Sequence, residues 1–286
     1  MENPKTSDLE HIIKNPDNFP TLPNVFYLLN KAIKDPDSTI NDIGKIVSSD
    51  LALTTQILKL VNSSFFGFDD KVETLSHAIN ILGIDKLSNV VLATTVISRF
   101  EGIPEEFVTM KSFWSHSIAC GLAAREISNF GMSDIKETLY VGGMIHDIGA
   151  LIIYKEIPEL AKEALDRCNY WGQNLVDAEK SLMGFDHTEI GSALIDHWGL
   201  PEIYGVMISY HHAPWEAPKY SKETSAIYLA DYIIHCNQLG SSGELQNSPL
   251  EKKALEILNI SHSAIPEISE KTIALFEETA QTFSID

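Results

Sequence analysis

His146 and Asp147 stand side by side in the run Gly142-Gly-Met-Ile-His-Asp-Ile-Gly149. An adjacent imidazole and carboxylate can bind one metal ion together where the helix that carries them meets its partners. Alone, such a pair is more often a surface or capping feature than a ligand pair. It has company. His116 lies 30 residues earlier, in a helical stretch 112–129 where Cys120, Ala123 or Ala124, and Ile127 follow on the same face, so its ring is expected to point inward. The bland explanation for one such residue is a buried neutral histidine bonded to a carbonyl. Asp231 shares an apolar face with Ile227 and Ile234 on a helix expected over 224–236, and a buried carboxylate without a cation or strong donors is costly. A metal held jointly by His116, His146, Asp147 and Asp231 would supply its partner; a capping or salt-bridged aspartate is the competing explanation.

A second group of imidazoles follows. Asp186 and Glu189 have the spacing of an N-cap and its box partner, which puts His187 in the first helical turn, in line with Ile190 or Gly191, Leu194 and Trp198. The helix begun by Pro201 ends at the doublet His211-His212 before Pro214, which places both rings at a helix terminus facing an open cavity; attraction of histidine to a helix carboxyl end explains the doublet equally well. His197 falls off the His187 face and is expected to pack or cap locally. His235, one turn beyond Asp231, is placed to support it, while His11, His77 and His262 have no evident partners.

The elements that must carry these residues are helical. Val25, Leu28, Leu29 and Ile33 form one stripe over 23–34, and Leu51, Leu58 and Val61 another over 50–62. The β-branched run 89–97 could pass for a strand, but no hairpin turn follows it and its neighbours are helical, so it is assigned helix. His146 and Asp147 are placed on one helix from near Lys136 through Ile153. Gly102 and Pro104 mark a seam, and the break 238–249, with Gly240-Ser-Ser-Gly243, is expected to be a mobile loop before short terminal helices. The expected organisation is an all-α, HD-like helical bundle (105–240) preceded by an amino-terminal helical half (1–104) and followed by a helical extension (241–286).

Composition narrows the function. With 44% hydrophobic and 21% charged residues in 286, the chain can bury a large core. Lys+Arg 21 against Asp+Glu 40 gives a net charge of −19, and Arg99, Arg125 and Arg167 are its arginines, so direct binding of nucleic acid is not expected. The polar, acidic first ten residues do not have the pattern of a signal peptide, and no stretch has the length and apolarity of a spanning helix; no membrane association and a cytoplasmic location are expected. Cys120, Cys168 and Cys236 are irregularly spaced, which argues against disulfides and a thiolate zinc site and suggests ordinary core thiols.

From Phe19 to about Cys236 the sequence resembles HDOD proteins, the HD-related output domain branch of the HD phosphohydrolase superfamily. The resemblance is carried by Phe19-Pro-Thr-Leu-Pro, Ser49-Asp-Leu-Ala-Leu, Asn62-Ser-Ser-Phe-Phe-Gly and Ala78-Ile-Asn-Ile-Leu-Gly. It implies a regulatory output module of bacterial signalling, in a family where many members have lost the catalytic residues of their relatives. Similarity to the HD superfamily assigns a first metal to His116, His146, Asp147 and Asp231. Similarity to the HD-GYP branch adds His187, His211 and His212 for a second ion, with Asp147 as bridge.

The chain also departs from that branch. Ala150 stands where HD-GYP phosphodiesterases carry a lysine after His-Asp-Ile-Gly, and Lys155 is too far along to replace it. Ser112 occupies the place of a glutamate ligand in some of those enzymes, and Ala213-Pro-Trp-Glu follows the histidine doublet in place of Gly-Tyr-Pro. Two readings follow. In one the chain is a signalling module whose divalent ions, two of them, iron or manganese in preference to zinc or nickel, are structural or sensory, with signalling proteins as partners. In the other it is a metal-dependent phosphohydrolase or phosphodiesterase acting on a phosphorylated small molecule or nucleotide, with Asp147 as the catalytic residue that positions the attacking water.

Overall fold

The computed structural model describes residues 19–63, 66–68, 70–100, 102–245 and 248–280, and among these it contains helices and no strand. The first ten residues, discussed above, and Ser64 and Phe65 of the Asn62 motif lie outside the described residues. The chain divides into two compact units, one of 21–100 with the chain from 273, the other of 101–272 with the chain up to 20.

The amino-terminal unit contains α1 (Asn24–Lys34), α2 (Ile40–Ser48), α3 (Leu51–Val61), α4 (Leu75–Leu82) and α5 (Ile84–Val96). Local sequence sets their limits. Thr39 and Asp42 form a reciprocal capping box on α2, Asp50 accepts from the Leu53 amide to start α3, and Gly83, at φ +83, turns the chain between α4 and α5. The Asn62 side chain closes the loop after α3, donating to the Val72 carbonyl (2.8 Å) and accepting from the Val72 amide (2.7 Å). The run 89–97 is helical as expected: α5 is buried on every side over Val90–Val96, where its β-branched residues serve packing.

Two of the expected stripes are rotated. Leu28 and Leu51 are exposed, and the buried faces are Val25, Phe26, Leu29 and Ala32 on α1 and Leu53, Ile57, Leu60 and Val61 on α3. In both helices a neighbouring apolar residue competed for the core, and tertiary packing chose between them. The terminal helix is longer than expected, 16 residues over Ile265–Ala280.

The other unit contains α6 (Met110–Ile127), α7 (Lys136–Ile145), α8 (Ile148–Glu156), α9 (Pro158–Trp171), α10 (Leu175–Met183), α11 (His187–His197), α12 (Glu202–Tyr210), α13 (Ser221–Asn237) and α14 (Lys252–Leu258); the terminal helix, α15, begins in it. α6 is buried almost all round, packing along α7 and α13, while α11 packs on α8 and α12. Phe19 and Pro20 join this unit: the Phe19 ring meets exposed His197 edge-on at 5.4 Å, and Trp198 Nε1 donates to the Pro20 carbonyl at 2.7 Å. Among the described residues no single helix is long and apolar enough to cross a membrane.

Candidate metal centre

The helix expected to run from Lys136 through Ile153 is in fact two. α7 ends at Ile145 and α8 starts at Ile148, and Asp147, at φ −97 and ψ 9, is the residue where the chain leaves the helical path. Consecutive residues on a continuous helix project about 100° apart, so an unbroken helix would aim His146 and Asp147 differently. The break lets both side chains enter one site. Glycines permit the close packing around it. A Cβ on Gly143 would sit 2.7 Å from the Cys120 carbonyl oxygen of α6, and one on Gly149 would overlap the His187 carbonyl and lie 2.6 Å from the Gly191 amide of α11.

The seven sequence-derived residues converge on this break. Asp147 divides them by its two oxygens. Oδ2 faces His146 Nε2 (3.2 Å) and His116 Nε2 (3.7 Å); Oδ1 faces His211 Nε2 (3.3 Å) and His187 Nε2 (3.7 Å). Asp231 Oδ1 reaches His116 Nε2 at 3.1 Å and His146 Nε2 at 3.6 Å. His212 Nε2 lies 3.0 Å from His187 Nε2. Two sets of candidate ligand atoms result, each within 4.8 Å of one another: His116, Cys120, His146 and Asp231, and Asp147, His187, His211 and His212.

The ring orientations suit metal ligation. His146 Nδ1 lies 2.7 Å from the Gly143 carbonyl and His211 Nδ1 2.8 Å from that of Ile208. A main-chain carbonyl can only accept, so in each ring Nδ1 carries the proton. Their Nε2 atoms are buried, aimed into the site and without a hydrogen-bond partner. His187 Nδ1 meets the buried Glu179 carboxylate at 2.7 Å, an arrangement that fixes the tautomer of metal-bound imidazoles and raises their basicity. His235 Nδ1 bonds Asp231 at 3.0 Å and supports that carboxylate from behind. His116 is held by packing alone at its far side, where Nδ1 finds no acceptor.

Charge in the metal-free site follows from this crowding. Burial opposes ionisation of Asp147, but the neighbouring His146 and His211 outweigh it and hold the carboxyl well below its usual range. Burial likewise opposes charge on His187, yet Glu179, Asp147 and Asp186 raise it to about 10. His212 is driven well below its ordinary value by burial and by the charges of His211 and His187. Two acids are brought here that the sequence did not single out, Glu179 and Glu244. Glu244 is raised to about 7 by burial and shares a small cleft with Asp231, His212 and His235. Neither acid has a local sequence signal, since each reaches the site through tertiary packing.

Residues 19–214 match the family model of the HDOD domain. The chain belongs to the HDOD family. Among solved structures, an HDOD domain protein of unknown function from Geobacter sulfurreducens superposes with a TM-score of 0.75 at 20% identity, covering 96% of this chain and 99% of that one. A Shewanella amazonensis protein provisionally named a phosphohydrolase gives 0.75 at 22% identity, covering 95% and 97%. At these identities the likeness is one of fold. An uncharacterized protein of Treponema pallidum (strain Nichols) is 28% identical over 222 residues, 76% of this chain; the chain spans 42% of that relative's length.

In this HDOD chain the expectation of three core thiols holds for Cys120 and Cys168 and is corrected at Cys236. Cys236 is exposed, Cys168 is buried with its thiol 3.4 Å from Glu244, and Cys120 is buried among the candidate ligands, 3.5 Å from His116 Nε2. Irregular spacing concealed the place of Cys120 in this cluster, because one helix contributes a histidine and a thiol four residues apart while the other candidate ligands come from distant elements.

Proposed function

We propose that this HDOD protein is a regulatory module whose binuclear metal centre, bridged by Asp147, fixes the relative placement of the helices that supply it. The observation that carries this reading is the cleft beside the cluster. It measures about 30 Å³, room for one or two waters. Asp231 and Glu244 line it, and no lysine or arginine does among the described residues. A phosphodiester carries negative charge, and a site for it is ordinarily completed by a cation. Ala150, buried on α8, adds none at the position where relatives in the HD-GYP branch have lysine.

His116, His146 and Asp231 would hold one ion and His187, His211 and His212 the other. Bound there, divalent ions would supply Lewis acidity and, above all, cross-links between α6, the α7–α8 break, α11, the end of α12 and α13. The chain's own residues prepare the site: Gly143, Ile208 and Glu179 set three imidazole tautomers, and His235 holds Asp231 in place. Signalling proteins are the proposed readers of the metal-locked state, and the proposed ions include iron or manganese.

The test compares metal-free and metal-loaded protein by hydrogen exchange while assaying phosphodiester hydrolysis. The expected result is slowed exchange in α6, α8 and α13 on loading with manganese, iron or zinc, with no turnover. Turnover of a phosphodiester that disappears in Asp147→Ala would instead establish a hydrolase.

A further inference from the structure

Cys120 stands one helical turn after His116 on α6, fully buried, and its Sγ lies 3.5 Å from His116 Nε2 and 3.9 Å from Asp231 Oδ1. A cysteine that only fills core needs no polar neighbours. This one faces an imidazole nitrogen and a carboxylate, with the buried, unpartnered Nε2 of His146 in the same group.

We propose that Cys120 is a thiolate ligand of the first metal position, so that the two halves of the centre differ in kind. One half offers sulfur, nitrogen and oxygen; the other offers nitrogen and oxygen only. The inference rests on the reading that this cluster binds metal.

Distances support it. Bond lengths of about 2.0–2.1 Å to nitrogen or oxygen and about 2.3 Å to sulfur would place neighbouring ligand atoms of a five-coordinate ion, the bridging Asp147 included, roughly 2.9–3.8 Å from each other. The corresponding separations are 3.1 Å (His116 Nε2 to Asp231 Oδ1), 3.6 Å (His146 Nε2 to Asp231 Oδ1), 3.5 Å and 3.9 Å to the sulfur. These four separations lie within a few tenths of an ångström of what such an ion needs, and the remaining pairs of the set lie within 4.8 Å.

Binding at this position breaks the S–H bond, forms a sulfur–metal bond and releases the thiol proton to solvent, with no change of oxidation state. Its consequence is selectivity. A thiolate with two imidazoles and a carboxylate favours zinc, whereas Asp147, His187, His211 and His212 form a harder set that equally suits iron or manganese. The two positions therefore differ in metal preference.

X-ray absorption on the full chain loaded with zinc tests this without any variant. The expected spectrum contains a sulfur scatterer at about 2.3 Å. It is lost in Cys120→Ser and Cys120→Ala and kept in Cys168→Ser. A second readout is the cobalt-loaded protein, in which a thiolate-to-metal charge-transfer band disappears in the same Cys120 variants. Cys120→Ser is expected to weaken zinc binding at least about tenfold and manganese binding less than about threefold. Zinc bound through nitrogen and oxygen alone overturns the thiolate and leaves the metal centre standing. Equal losses for both metals in a folded variant also overturn it, since they indicate packing. Failure to bind any metal removes both this inference and the proposed function.

Discussion

At the scale of single residues the centre depends on Asp147, because each of its oxygens faces a different pair of imidazoles. Asp147→Asn keeps the side chain's shape but replaces one oxygen with an amide nitrogen that cannot ligate. Metal content measured on the purified variant should fall from two ions to one or none, with affinity lowered by more than about a hundredfold. Retention of two tightly bound ions would remove Asp147 from the bridge. A pH dependence belongs to His187. Burial disfavours its charge, but Glu179, Asp147 and Asp186 prevail and hold it at about 10, so below that pH the metal-free ring is protonated. A ligating imidazole must be neutral, so metal uptake expels this proton, and affinity should rise with pH up to about 10 and then level. Calorimetry at pH 8 in buffers of different ionisation enthalpy should register net proton release; none would show that His187 stays outside the coordination shell. The folding sign is opposite. Because the folded value lies above the ordinary 6.5, the ion pair stabilises metal-free protein fully below pH 6.5, and that contribution is lost as pH rises through about 10.

At the scale of elements, the α7–α8 break and the approach of α8 to α11 bring the two ligand sets together. A Cβ at Gly149 has nowhere to go, since the atoms it meets are all backbone of α11. Gly149→Ala should therefore destabilise the protein by about 3 kcal/mol in denaturant unfolding and shift His187, weakening the second metal position more than the first. Gly205 on α12 is the control. Its added Cβ would come no closer than 3.4 Å to a neighbour, the Ser192 hydroxyl, so Gly205→Ala should be neutral or stabilising by up to about 1 kcal/mol. A neutral or stabilising effect at both positions would show that helix propensity and not close approach governs Gly149. This scale also separates what the sequence disclosed from what it hid. The cap at Asp186 and the helix end at His211 are local events, written in the box spacing and in Pro201 and Pro214, and the structure has both. The interruption at Asp147 carries no proline and no capping side chain; it is imposed by the neighbouring helices, so periodicity passed straight over it. Glu179 escaped notice for the same reason: its partner is eight residues away, at the start of the next helix.

At the scale of the whole molecule, among the described residues every candidate ligand lies between His116 and Asp231, within the unit formed by 101–272, and the 21–100 unit contributes none. The all-α architecture and family membership were legible because helical periodicity and the amino-terminal motifs are properties of contiguous sequence. The convergence of ligands was legible only as an economical explanation for several inward imidazoles and a buried acid. This division predicts where metal removal acts. Each bound ion contributes about 2.7 kcal/mol when free metal is a hundredfold above its dissociation constant, so for a unit of this size the pair corresponds to roughly 10–20 °C in unfolding midpoint. Chelation should therefore lower the midpoint of the unfolding step that exposes α6 and α13 by that amount. In the same sample, hydrogen exchange should accelerate in α6, α8, α11 and α13, which lose their cross-links, while amides in the cores of α1 to α5 keep their rates. Uniform acceleration across both units would mean that the metal stabilises the chain as one cooperative body. No change in either would mean that the imidazoles are satisfied without an ion, and the regulatory role assigned to the centre would lose its physical basis.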